Sequence, residues 1–378
     1  MEQAFHTIDH LPDRFITLDG QPYLFFSGTA YLGLPQHPSF RQLMTEAMAR
    51  YGTVFGSSRN GNLRLAIYEP AEAQLAAFAG APAALTLSSG MMAGQAVINW
   101  LKLPSAWAGV NSPVTFIYAP HTHPALWHEP TVSLPGCPFS DWVAGLPALL
   151  AQGDGPVVIL VNSLDAVRSE AYFFDWMASL PTNRPITVVV DDSHGLGVLG
   201  HERRGIWQHL PKPAGVRVVV TASLAKAMGL PGGVVLAGAE PVASLRHTAF
   251  FGGCSPIPPA YLNAYVEAGT LYQQAHDKLG RLIQLAETWL LPTGLFKQAP
   301  DYPVFYTDDD ALYPFLLKQG ICIYSFAYPT AADKANTRIV ISAFHEPEDI
   351  DRLGEAVRRY RAELPTEQVI SEIVADRS

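Results

Sequence analysis

A chain of 378 residues is too long for one small core, so one large domain and one smaller one are expected. Hydrophobic residues make up 48% and charged ones only 16%, which calls for a large interior or an oligomer interface; the formal charge of −9 argues against a nucleic-acid partner. Cys137, Cys254 and Cys322 lie far apart with no CxxC pair, which argues against a disulfide scaffold or a zinc site and fits a reduced, cytoplasmic enzyme without a metal.

The start, MEQAFHTIDHLPDRF, has no apolar core of signal-peptide length, and no apolar run reaches a membrane span, so no membrane partner is expected. Residues 15–26 (FITLDGQPYLFF) read as a hairpin around Asp19-Gly20. FRQLMTEAMARY (40–51) has helical spacing, with Leu43, Ala47 and Met48 on one face, and Gly52 closes it. A loop of glycine, serine and asparagine (52–62) precedes a helix over 66–79. An alternation then begins: strand AALTL (83–87), turn SSG, helix 91–101, strand VTFIYA (114–119), then HTHPALW. It continues with strand PVVILVNS (156–163), a short helix at 175–180 and ITVVVDDSHG (186–195), a strand ending in two aspartates. VRVVVTAS (216–223) and GGVVLAG (232–238) are two more strands. Strands that are apolar throughout and spaced by helical segments indicate an α/β fold with a mainly parallel sheet covered on both faces. In such sheets ligands bind at the carboxyl ends of the strands.

From Pro256 the texture changes. Residues 257–291 read as one long, kinked helical stretch. Short strands at 303–306, 321–325 and 337–343, with an amphipathic helix at 346–364, make an α+β unit. The expected organisation is an N-terminal segment (1–50) packing with the small domain, a large domain (51–255) and a small C-terminal domain (256–378).

Polar residues gather at the strand ends. Ser88-Ser89-Gly90 stands between a strand and a helix, where it is either an ordinary cap or an anion site. Asp191 ends the run ITVVV, where a carboxylate must be paired. It is either a helix N-cap or the group that holds a proton on a heteroaromatic nitrogen, and His194 follows three positions on. Lys226 stands where VRVVVTAS runs out into a glycine-rich turn. It either snorkels to solvent or is desolvated, which lowers an amine's pKa and suits bonding to an aldehyde. Ser223, three residues earlier, is within reach of the same phosphate. Asp191 and Lys226 are one strand–helix–strand crossover apart, which puts them on nearby parallel strands. An acid for a ring nitrogen, a lysine for an aldehyde and an anion site for a phosphate together describe a pyridoxal 5'-phosphate enzyme.

The sequence also resembles the α-oxoamine synthases. The matching stretches are YLGLPQHP (31–38), YGTVFGSSR (51–59), LAAFAGAPAALTLSSGMMAGQAVI (75–98), VVVDDSHGLGVLG (188–200), SLAKAMGLPGG (223–233), PPA (258–260) and RIVISAFHEPEDIDRL (338–353). DDSHGLGVLG is the most specific. The resemblance implies a fold-type-I pyridoxal phosphate enzyme, a homodimer with its active site at the subunit interface. It implies a catalytic set of Lys226, His123 and His194. Lys226 would bond to the coenzyme's aldehyde carbon, Asp191 would pair with the pyridine nitrogen, His194 with the phenolic oxygen, and His123 would stack on the ring. Ser89, Gly90, Met91 and Ser223 would hold the phosphate, with Ser255 reaching it from the other subunit. Arg338 falls where the family holds the substrate carboxylate, and Thr29-Ala30 stand where the family has an asparagine before YLGL, which makes Thr29 a substrate-side candidate. Without the resemblance His123 is a loop histidine beside proline, and Arg338 a surface residue at a strand edge.

The departures fall in the substrate shell. Val161-Asn162 stand where the family has threonine-glutamate, Ala166 replaces a serine, Met91 an aromatic and Tyr68 a histidine. AYPTAA, beginning at Ala327, lacks the family's arginine. The implied activity is acyl transfer: an amino acid is condensed with an acyl thioester, acyl-CoA or an acyl carrier, with Lys226 as base. Arg203 and Arg204 either meet CoA phosphates or form a solvated loop. An aminotransferase using an amino acid and a keto acid, or a relative that binds the coenzyme without catalysis, are the other readings of the same fold.

Overall fold

The computed structural model describes residues 6–107, 110, 112–327 and 335–364. In chain order the strands are β1 (Phe15–Leu18), β2 (Gln21–Phe26), β3 (Ala83–Leu87), β4 (Thr115–Tyr118), β5 (Val157–Asn162), β6 (Leu164–Asp165), β7 (Glu170–Ala171), β8 (Ile186–Asp191), β9 (Val216–Ser223), β10 (Gly233–Ala237), β11 (Val304–Thr307), β12 (Ile321–Ala327) and β13 (Ala335–Val340). The helices are α1 (Pro38–Tyr51), α2 (Tyr68–Ala79), α3 (Gly90–Leu101), α4 (Phe139–Leu150), α5 (Ala239–Arg246), α6 (Ala249–Gly253), α7 (Pro259–Glu267), α8 (Gly269–Leu290), α9 (Leu312–Lys318) and α10 (Pro347–Glu363). Among the described residues no helix is long and apolar enough to cross a membrane.

The chain divides into two compact units. The larger holds residues 32–166 and 171–276; the smaller holds 1–31, 167–170 and 277–378. The sequence reading draws its boundaries at 50/51 and 255/256. In the structure α1 packs on α7, and Phe40 of α1 meets Tyr272 edge-on at 6.3 Å, so both flanks go with the larger unit.

The larger unit is built on a six-stranded sheet in the order β3-β10-β9-β8-β5-β4. β9, β8, β5 and β4 are parallel neighbours, while β10 runs antiparallel to both β9 and β3. Five strands therefore end at one edge. β5, β8 and β9 are runs of valine, isoleucine and leucine because both of their faces are covered. Ala93, Val97, Trp100 and Leu101 of α3 pack against Leu85, Val158, Leu160, Val219 and Val235 of the sheet. Each such valine or leucine contributes about 1.5–3 kcal/mol by leaving water. Gly94 lets α3 lie against the loop after β4, since a Cβ there would fall 2.4 Å from the Ala125 carbonyl oxygen.

Two expectations change here. The connection from β8 to β9 is made of short 3-10 turns at His201–Arg203 and Trp207–His209 instead of an α-helix. The helical stretch 257–291 is two helices, α7 and α8, broken at Ala268.

The smaller unit carries a five-stranded sheet in the order β1-β2-β12-β13-β11. β2 and β12 are parallel, and the other pairs are antiparallel. α10 buries Ile350, Leu353, Ala356, Val357 and Tyr360. Its first turn has a capping box in which Glu346 and Asp349 satisfy each other's backbone N–H groups. Asp349 also takes a two-pronged contact from Arg14, at 2.6 and 2.9 Å.

Candidate functional site

Ser89, Gly90, His123, Asp191, Ser223 and Lys226 gather at the carboxyl edge of the larger unit's sheet. Ser89 caps α3, its Oγ accepting the Met92 N–H at 3.1 Å. That cap leaves the first amides of α3 aimed outward, where a helix attracts anions. Ser223, the last residue of β9, lies against this helix start. A Cβ on Gly90 would fall 2.6 Å from the Ser223 Cβ and 2.8 Å from its Cα, so only glycine fits. The Ser223 N–H donates to Ser193 Oγ at 2.8 Å, and Ser223 Oγ accepts the Ala225 N–H at 3.3 Å. Met91 is 45% exposed beside this cradle.

Asp191 is the last residue of β8, in register with Asn162 of β5 and Thr221 of β9. It is 8% exposed, and its Oδ1 accepts the Ser193 N–H at 2.9 Å. Its Oδ2 lies 3.9 Å from His123 Nδ1. His123 Nδ1 itself accepts the Ala125 N–H at 3.1 Å, which assigns the ring proton to Nε2. Burial pushes the His123 pKa below the usual imidazole range; Asp191 opposes this and the charge of Lys226 reinforces it. His123 is thus a neutral ring beside a carboxylate and within the field of a lysine.

Lys226 lies three residues past β9 in a loop closed by backbone bonds. Leu224 N–H donates to the Gly232 carbonyl at 2.8 Å, and Leu230 N–H to that of Leu224 at 2.9 Å. Tyr272 of α8 also donates to the Met228 carbonyl at 2.6 Å. The lysine is half-buried, so it is less withdrawn from water than the strand pattern implies. His194 is half-buried in the turn after Asp191. That turn is anchored by Asp192, whose fully buried carboxyl accepts the Ile206 N–H at 2.8 Å. Burial pushes the Asp192 pKa up to about 7.

Ser255 is exposed, just beyond α6. Its neighbour Cys254 places Sγ 3.5 Å from Ser88 Oγ. Arg338 and Thr29 belong to the smaller unit. Arg338 is no edge residue: β13 lies between β12 and β11, and the side chain is 7% exposed, stacked over the Tyr324 ring at 3.9 Å. Thr29 is half-buried. Of AYPTAA, only Ala327 lies among the described residues. Arg203 and Arg204 are engaged within their own turn, the first on the Val198 carbonyl at 3.0 Å and the second on Glu202.

Three contributors carried no role in the sequence reading. Ser193 ties Asp191 to Ser223, Tyr272 holds the Lys226 loop, and Asn162 holds the loop of His123. Asn162 and Ser193 had a signal, as polar residues at strand ends.

A sequence model of the family aminotransferase class I and II matches residues 174–357. The chain is 27% identical over 385 aligned positions to a putative 8-amino-7-oxononanoate synthase of Desulfovibrio desulfuricans, covering 94% of each. Over nearly its full length the chain is thus similar to α-oxoamine synthases. It is also 25% identical to a serine palmitoyltransferase of Bacteriovorax stolpii, over 93% of this chain and 85% of that one. A serine palmitoyltransferase solved with pyridoxal phosphate has the same fold, with a TM-score of 0.77 at 16% identity, covering 95% of this chain and 94% of the other. The residues present fit that coenzyme. The glycine cradle at Gly90 makes room for a phosphate, Asp191 is a buried acceptor for a ring N–H, and Lys226 supplies an amine at the same sheet edge.

Proposed function

We propose that this chain is a pyridoxal phosphate-dependent acyltransferase that condenses an amino acid with an acyl thioester. The observation that carries this reading is the convergence of Asp191, His123, Lys226 and the Ser89–Gly90–Ser223 cradle in one unit, in a chain related to such synthases over nearly its full length. The bound coenzyme supplies an electron sink for the bond to be broken at the amino acid's Cα.

The chain's own groups do the rest. Gly90 and Met91 amides, with Ser89 and Ser223, bind the phosphate. Asp191 holds a proton on the ring nitrogen, since a carboxylate fixed by the Ser193 amide favours the charged partner. His123 would present a neutral face to the ring, and His194 would bond its phenolic oxygen. Lys226 would hold the coenzyme through its amine and, once freed, would take the Cα proton of the amino acid as general base. A carbon–carbon bond forms between Cα and the acyl carbonyl carbon, and the thiol leaves. Arg338, stacked over Tyr324 in the smaller unit, is the candidate that the family resemblance offers for the amino acid's carboxylate. We place the protein as a homodimer in the cytoplasm with acyl-CoA as donor. Free thiols at Cys137, Cys254 and Cys322 support a reducing compartment, and the exposed Ser255 is available to a second subunit.

The test is release of free thiol. Thiol should appear only when both an amino acid and an acyl thioester are present, and Lys226→Ala should abolish it while the protein stays folded. Undiminished turnover by that variant would overturn the reading, and so would amine transfer to a keto acid with no thiol release.

A further inference from the structure

By the chain's resemblance to the α-oxoamine synthases, Asn162 stands where that family would have an acid. Its surroundings give it a different task. It is the last residue of β5, between the loop that follows β4 and Asp191 at the end of β8. Its side-chain amide is used at both ends on that loop. Oδ1 accepts the His123 N–H at 3.1 Å, and Nδ2 donates to the His121 carbonyl at 2.7 Å.

The loop needs such a hold. His121 is left-handed, with a φ of 57°, which a residue with a Cβ adopts only when its surroundings enforce it. The next residue is tied to the same strand, for Thr122 Oγ1 donates to the Ala119 carbonyl at 2.7 Å and to that of Leu160 at 3.1 Å. Trp127 Nε1 closes the far side on the Thr122 carbonyl at 2.9 Å. The His123 ring is then set from two directions. Its backbone is fixed by Asn162, and its Nδ1 by the Ala125 N–H.

An amide suits this position better than a carboxylate. It offers an acceptor and a donor at once, which the adjoining N–H and C=O require, whereas an ionised acid only accepts. It is also uncharged beside Asp191, so it does not compete with the carboxylate for a proton. We propose that Asn162 is the positioning residue for His123: its amide clamps the left-handed turn at His121 and so fixes the imidazole against the coenzyme ring. The coenzyme part of this statement rests on the function proposed above; the clamp does not.

Three proteins test it, wild type, Asn162→Ala and Asn162→Asp, each prepared with pyridoxal phosphate. Hydrogen exchange at the His123 amide reads the clamp directly. It should speed up roughly tenfold in Asn162→Ala, with the loss of about two net hydrogen bonds around the turn, and by an intermediate factor in Asn162→Asp, which keeps the acceptor for the His123 N–H but loses the donor to the His121 carbonyl. The visible circular dichroism of the bound coenzyme should fall in Asn162→Ala, with a roughly tenfold higher dissociation constant, and lie between the two in Asn162→Asp. Unchanged His123 exchange in Asn162→Ala overturns the clamp. Faster His123 exchange with an unaltered dichroic band overturns the positioning role. Changes that only follow a general loss of protection across β5 and β8 reduce Asn162 to a structural residue and refute the proposal. A wild-type protein that binds no coenzyme refutes the functional reading and the coenzyme part of the proposal, and the exchange result still decides the clamp.

Discussion

Gly90→Ala is the most informative single substitution at the candidate site. The new Cβ would stand 2.6 Å from the Ser223 Cβ and 2.8 Å from its Cα, so a backbone, and not a flexible side chain, has to give way. Overpacking of this kind costs about 1–3 kcal/mol. Alanine's better helix propensity returns at most about 1 kcal/mol, and less at the first helical position. The net loss is then about 1–2 kcal/mol, or roughly 2–8 °C in melting temperature for a unit of this size. The control is Gly145→Ala in α4, an exposed helical position where a Cβ meets nothing within 4 Å. There the same change should stabilise the protein by about 0.5–1 kcal/mol. Coenzyme affinity separates the two further. Displacing Ser223 from α3 should weaken binding of pyridoxal phosphate at least tenfold, whereas Gly145→Ala should leave it unchanged. Thermal unfolding and coenzyme titration read both effects. If Gly90→Ala melts no lower than wild type and binds the coenzyme equally well, the cradle does not exist as described.

Two further predictions concern stability. His345 is buried and neutral, with Nδ1 accepting the Ser342 N–H at 3.0 Å and Nε2 donating to the Phe25 carbonyl at 2.9 Å, and burial brings its pKa down to about 4. Unfolding restores a value of about 6.5, so stability is fully present above that pH and is lost as the pH falls toward 4, by about 3 kcal/mol. In urea titrations His345→Gln should remove that share of the acid sensitivity, and an unaltered pH slope would refute it. Glu72 accepts Thr86 N–H and Oγ1–H at 2.7 and 2.9 Å and pairs with both Arg59 and Arg246. Glu72→Ala strands buried positive charge and should cost about 3–5 kcal/mol in chemical denaturation; a loss under about 1 kcal/mol would contradict this.

Much of the sheet is legible in the sequence because its central strands are buried on both faces. ITVVVD and VRVVVTAS have no polar interruption, and the polar residues that follow them mark the ligand edge. The reversal of β10 is legible too. The short connection 224–232 is too tight for a parallel crossover. α4 was hidden by Gly145 and Pro147 inside it, and α9 by Pro314. The division of 257–291 into two helices leaves little trace, since alanine favours a helix, yet Ala268 leaves helical geometry at φ −89° and ψ 15°. At the site, residues that touch through side chains at strand ends could be named from their positions. The roles of Asn162, Ser193 and Tyr272 could not, because they bond backbone atoms far away along the chain, and no spacing rule connects those. Arg338 illustrates the opposite case: its place on β13 is legible, but its burial over Tyr324 depends on the pairing of β13 with β12.

The central claim is that Lys226 is the residue to which the coenzyme is joined. Borohydride reduction of the protein loaded with pyridoxal phosphate, followed by proteolysis and mass spectrometry, tests this most directly. The account predicts a pyridoxyl label on the peptide bearing Lys226 and on no other lysine peptide, lost in Lys226→Ala. A label spread over surface lysines, or absent from the Lys226 peptide of a protein that has bound the coenzyme, would contradict it.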